Sequence, residues 1–125
     1  MEDKIENDIS YEIRGAAFEV YNELGPGLFE SVYEAAMIHE LSEDLHVRSQ
    51  VPVPVNYKGE DLNLGFRLDL LVDEKVIVEI KSVKKLEPVH SKQLMTYLKL
   101  TELKLGLLIN FNEAPIKIAR IVNGL

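Results

Sequence analysis

The stretch RLDLLVDEKVIVEIK, Arg67 to Lys81, decides how this chain is read. Two runs of apolar residues flank an Asp-Glu-Lys turn, the pattern of a β-hairpin. Its register follows from the loop length. A two-residue loop would set Asp69 opposite Val78 and turn Glu79 to the other side of the sheet. A three-residue loop, Asp73-Glu74-Lys75, pairs Val72 with Val76 and Leu70 with Val78, and sets Asp69 opposite Glu79. Only the second choice gathers Leu68, Leu70, Val72, Val76, Val78 and Ile80 on one face, so it is the register expected. Asp69, Glu79 and Lys81 then share the other face. Two carboxylates stand about 5 Å apart at their Cβ atoms, a pairing that destabilises a bare sheet. Either a bound divalent cation or a raised pKa would offset that repulsion.

The rest of the chain supplies a frame for this hairpin. At 125 residues it has the size of one domain, 1–125, able to bury a core without disulfides, and it contains no cysteine. Apolar residues make up 46% and charged residues 28%, a globular composition without low-complexity segments. No apolar run approaches the ~20 residues that span a bilayer. The acidic start MEDKIEND is unlike a signal peptide. A cytoplasmic protein with no membrane partner is therefore expected.

The periodicity reads helix, helix, three strands, helix, two strands. Ile5, Ile9, Ile13, Ala16, Ala17, Val20 and Leu24 recur at helical spacing, and Gly25-Pro26-Gly27 ends that helix. A second helix is expected from Leu28 to Asp44, with Phe29, Val32, Tyr33 and Ala36 as its buried stripe and Met37 at the edge. Glu30 flanks that stripe, and Glu40 lies near its centre, where pairing with Arg48 would explain it. The segment from Val47 alternates through Val51, Val53, Val55 and Tyr57, but Pro52 and Pro54 confine it to an edge. After the hairpin, a third helix from Val89 to Thr101 aligns His90, Gln93, Leu94, Tyr97 and Thr101. Leu105–Phe111, apolar as a central strand is, and Ile116–Val122 complete a mixed sheet flanked by helices, an α/β fold. The long crossover makes the strand after the third helix parallel to its predecessor.

The net charge of −7 is unevenly spread. Residues 1–50 carry twelve acids and three bases; residues 51–125 carry nine acids and eleven bases. Lys81, Lys84, Lys85, Lys92 and Lys99 follow the hairpin acids. They form either a basic rim for a phosphodiester substrate or an ordinary solvated face. Asp69, Glu79 and the main-chain carbonyl of Ile80 are hard oxygen donors suited to Mg²⁺, and Lys81 can orient a water or stabilise charge on an attacked phosphate.

The sequence GLFESVY, with Gly27-x-x-Glu30-x-x-Tyr33, resembles the motif that names the GxxExxY family, a branch of the PD-(D/E)XK nuclease-like superfamily. The resemblance runs on through PVPVNYKG, RLDLLV, VIVEIKSV, HSKQLMTYLK and LGLLINF. It implies a restriction-endonuclease-like core of αβββαβ order, with Asp69, Glu79 and Lys81 as the signature triad. It further implies that Glu30 is the helix-borne acid of the metal site, and that Gln93 and Tyr97 are a glutamine-tyrosine motif lining it. His90 and Tyr33 face the site or serve as core residues with satisfied polar tips. The expected function is a Mg²⁺- or Mn²⁺-dependent nuclease acting on DNA. A catalytically silent nucleic-acid-binding or protein-interaction module on the same fold is the alternative. With no second domain to grip substrate, self-association as a homodimer is one option, which the acidic helices or an edge strand could mediate.

Overall fold

A computed structural model describes residues 5–125. Helix α1 (Glu6–Leu24) buries Ile9, Ile13, Ala17 and Val20, one stripe at three- and four-residue spacing that faces the core. Gly25 follows with φ 67°, its N–H donating to the carbonyl of Tyr21, a left-handed end that glycine adopts without penalty. Helix α2 (Glu30–Leu41) buries Tyr33, Met37 and Leu41. This corrects the expected stripe. The helix begins two residues later than expected, so Phe29 is its extended N-cap residue rather than a helical one, and it stands 84% exposed. Val32 is also exposed, while Met37 is central instead of marginal.

Five strands form one sheet in the order β1-β4-β5-β6-β7: β1 (Val47–Pro52), β4 (Arg67–Val72), β5 (Val76–Lys81), β6 (Leu105–Asn110) and β7 (Lys117–Val122). Between β1 and β4, β2 (Asn56–Tyr57) and β3 (Glu60–Asp61) make a separate small hairpin. Its turn residues Lys58 and Gly59 both have positive φ, the backbone that tight hairpins require. The proline-bearing β1 is an edge, as its missing N–H donors demand. Helix α3 (Pro88–Thr101) carries the chain across to β6, which runs parallel to β5.

Both faces of the sheet are covered. Helices α1 and α2 pack on Leu70, Val72, Val76, Val78 and Ile80. Leu94, Tyr97 and Leu98 of α3 pack on Leu71, Ile77 and Leu108. Covering on both sides explains why the central strands read as nearly continuous apolar runs. Helix α3 sits close because β6 has no side chain at Gly106, where a Cβ would lie 2.7 Å from Leu94 Cδ1.

The hairpin register is the three-residue one: Val72 pairs with Val76 and Leu70 with Val78. Leu68 departs from expectation. It lies on the α3 side with Leu71, not with Leu70. The β1–β4 ladder skips Gln50 and Asp69, and Gln50 has φ 50°, so the strict alternation of faces breaks at Asp69.

Candidate active site

The site begins where the hairpin ladder ends. The last paired residues are Leu70 and Val78; beyond them the carboxylates replace main-chain partners. The Asp69 N–H donates to Glu79 Oε2, and the Ile80 N–H donates to Asp69 Oδ2, both at 2.8 Å. Each acid thus satisfies a backbone donor that the parted strands would leave unpaired. One oxygen of each carboxylate is committed in this way. Among the described residues the other oxygens, Asp69 Oδ1 and Glu79 Oε1, accept no hydrogen bond.

Glu79 is only 4% exposed. Burial first, and the Asp69 carboxylate second, push its pKa up to about 8; the Asp69 N–H and Lys81 pull it down, and Glu34 adds a further upward push. The repulsion expected of two facing acids is therefore relieved by a proton when no cation is bound. Lys81, half-buried, is held by main chain, its carbonyl accepting from the Phe111 N–H at 2.9 Å.

From α3, Tyr97 closes the site. Gln93 Nε2 donates to Tyr97 Oη at 3.2 Å, an i, i+4 pair on one helical face. Burial, then the charges of Glu79 and Asp69, raise the phenol's pKa, so Tyr97 retains its proton and can act as a donor. The phenol thus lies within the electrostatic reach of both acids. The ring of Phe66 leans on it, centroids 5.9 Å apart.

Glu30 is not brought to this pair. It is exposed in the first turn of α2, and among the described residues no group of three or more His, Asp or Glu side chains is assembled for a metal. The α2 acid whose charge reaches Glu79 is Glu34, one turn further on, where Gln50 Nε2 donates to its carboxylate at 3.1 Å. Tyr33 is a core residue. Fully buried, it stacks on Phe111 with centroids 4.4 Å apart. Its hydroxyl donates to the Gly25 carbonyl at 2.6 Å and accepts the Leu28 N–H at 3.1 Å. The tyrosine of the motif therefore pins the Gly25–Leu28 turn that precedes α2. His90 Nδ1 accepts the Glu87 N–H at 2.9 Å, a cap on α3. Arg48 pairs with Glu74 rather than Glu40, since β1 lies beside the hairpin turn.

Sequence reasoning missed Asn110. Fully buried at the end of β6, it accepts the Val83 N–H at 3.0 Å and donates to the Val83 carbonyl at 2.9 Å and to Glu113 Oε2 at 2.7 Å. The signal was present: a lone amide closing the run LGLLIN must find partners where it is buried.

A five-stranded mixed sheet flanked by helices, with two acids at a parted hairpin and a lysine one repeat further along, is a restriction-endonuclease-like core. Residues 7–121 match the family described as the PD-(D/E)XK nuclease superfamily. The chain belongs to that superfamily, whose members generally hydrolyse phosphodiester bonds of nucleic acids and typically use divalent metals. No curated protein and no solved structure matches the chain. No helix among the described residues is long and apolar enough to cross a membrane. The donor set fits such a metal: two hard carboxylates, each with one uncommitted oxygen, suit a cation such as Mg²⁺ that keeps most of its waters.

Proposed function

We propose that this chain is a Mg²⁺- or Mn²⁺-dependent nuclease that cleaves DNA, in the GxxExxY branch suggested by Gly27, Glu30 and Tyr33. The observation that carries the reading is the buried Glu79 facing a partly buried Asp69 at the parted hairpin, with Lys81 beside them. Asp69 and Glu79, with the Ile80 carbonyl, would hold the cation. When bound, a divalent cation supplies charge neutralisation at the attacked phosphate and eases deprotonation of water. Lys81 places a fixed positive charge where the phosphate gains negative charge, and it steadies the attacking water. Tyr97, protonated and held by Gln93, donates a hydrogen bond at the margin of the pair. Glu30, exposed at the start of α2, is left to contact substrate or an outer water rather than to complete a three-acid cage.

The test is cleavage of single-stranded, duplex and branched DNA, and of RNA, with Mn²⁺. Cleavage of DNA that needs the metal and falls at least about 100-fold in Lys81→Ala is expected, the usual cost of removing one preorganised charge-stabilising donor. Activity that survives Lys81→Ala would overturn the assignment. Metal-dependent stabilisation without cleavage of any substrate would instead identify a silent module.

A further inference from the structure

Beyond Lys81 the chain leaves the sheet, and Asn110 takes over from the ladder. Its side-chain amide offers Val83 one acceptor and one donor, as the next peptide of β6 would. Glu113 Oε2, which accepts from Asn110, also accepts the Leu86 N–H at 3.4 Å. The loop is thus fastened on both sides of Lys84 and Lys85. Between this loop and the start of α3 lies an open groove of about 600 Å³, lined by Val83, Lys84, Lys85, Glu87, His90 and Glu113.

We propose that this groove is a second phosphate-binding site, which docks the nucleic-acid backbone flanking the phosphate attacked beside Asp69 and Glu79; it rests on the nuclease reading, in which those acids would hold the cation. Both lysines are exposed, and among the described residues neither is paired with an acid. Of the two acids in the lining, Glu113 is drawn back by Asn110 and the Leu86 N–H, which both bind its Oε2, and Glu87 turns its carboxylate to the His90 N–H as the cap of α3. Because His90 Nδ1 accepts a hydrogen bond, the proton of its neutral ring sits on Nε2, a further donor. His90 also stands two turns before Tyr97 on one face of α3, about 10 Å along its axis. A strand with one phosphate at the carboxylates therefore has others within reach of the groove. Lys92 and Lys99 do not share in this: they lie about 140° and 160° round the helix from Tyr97. The lysines of the sequence divide into a pair aimed along the substrate path and a pair on the far side of α3.

The experiment measures binding of labelled duplex and single-stranded DNA and RNA by fluorescence anisotropy, in EDTA, from about 50 to 200 mM salt. The full chain is compared with the Lys84→Ala/Lys85→Ala double variant. On duplex DNA the slope of log K against log salt should become shallower by about 1.8, some 0.9 for each phosphate no longer neutralised. The Lys84→Arg/Lys85→Arg variant should keep the parent slope. An unchanged slope in the alanine variant, with cleavage intact, overturns the groove and leaves the nuclease standing. A parent chain that binds none of the oligonucleotides overturns the groove, and one that in addition cleaves none of them with Mn²⁺ overturns both.

Discussion

The β4–β5 hairpin carries a pair of acids at each end, and the two pairs are held in opposite ways. At the turn, Asp73 accepts the His46 N–H at 2.8 Å and Glu74 meets Arg48 at 2.8 Å, both in contact with solvent. At the other end, Glu79 is buried and faces a partly buried Asp69, with backbone N–H groups and Lys81 nearby but, among the described residues, no ion pair between either acid and a base. The same residue types in one hairpin serve as surface stabilisers at the turn and as a ligand-ready pair at the open end. What separates them is burial and the identity of the partner. A carboxylate in water beside a guanidinium has what it needs, whereas one buried beside another carboxylate lacks a positive charge, and a proton or a metal can supply it.

The contrast can be broken at the buried end first, where the effects are largest. Glu79 titrates at about 8 in the folded chain against an ordinary 4.5. Between those values the folded state holds the extra proton, so this contribution to stability is complete below about 4.5 and is lost as pH rises through about 8. The loss is on the order of a few kcal/mol, or roughly 10 °C in Tm. Thermal melts in EDTA from pH 5 to pH 9 should show the decline, and Glu79→Gln should flatten it. A parent Tm as flat as that of the variant would show that the buried pair carries no such load.

A smaller effect is expected from Asp69→Asn. The amide oxygen can still accept the Ile80 N–H, but the like charge is gone, so Tm in EDTA at pH 8 should rise by a few degrees. Stabilisation by millimolar Mg²⁺ or Mn²⁺ should vanish in the same variant. A variant that melts lower than the parent in EDTA, or that keeps the metal shift, would refute the account of the pair. Smallest of all is Arg48→Ala at the turn. Its pair with Glu74 is about half exposed on both sides, and such pairs contribute about 0.5 kcal/mol or less. Urea titration should show a midpoint close to that of the parent; a loss above 1 kcal/mol would erase the distinction drawn between the two ends.

Much of this was legible in the chain because the strongest signals were local. Three turn residues set the hairpin register, the prolines marked β1 as an edge, and the apolar run LGLLIN marked β6 as central. What failed depended on a single displaced residue. A helix starting at Leu28 would bury Phe29, but α2 starts at Glu30 and leaves Phe29 outside it. Alternation carried Leu68 to the wrong face because nothing in the sequence announces that the β1–β4 ladder breaks at Gln50 and Asp69. Partners across the fold were harder still. That Arg48 finds Glu74, that Glu34 rather than Glu30 is felt by Glu79, and that Asn110 holds Val83 all depend on how elements distant in sequence come to lie together.

The glycine of β6 sets a dimension of the site without touching it. Gly106 pairs with Ile77, two residues before Glu79, and receives Leu94, three residues before Tyr97. The headroom between the carboxylates and the phenol above them is thus gauged by an absent methyl group under α3. A side chain at that position would push α3 away from the sheet while every chemical group of the site stayed the same. The distance from sheet to helix is in this sense set from beneath α3, by volume rather than by chemistry.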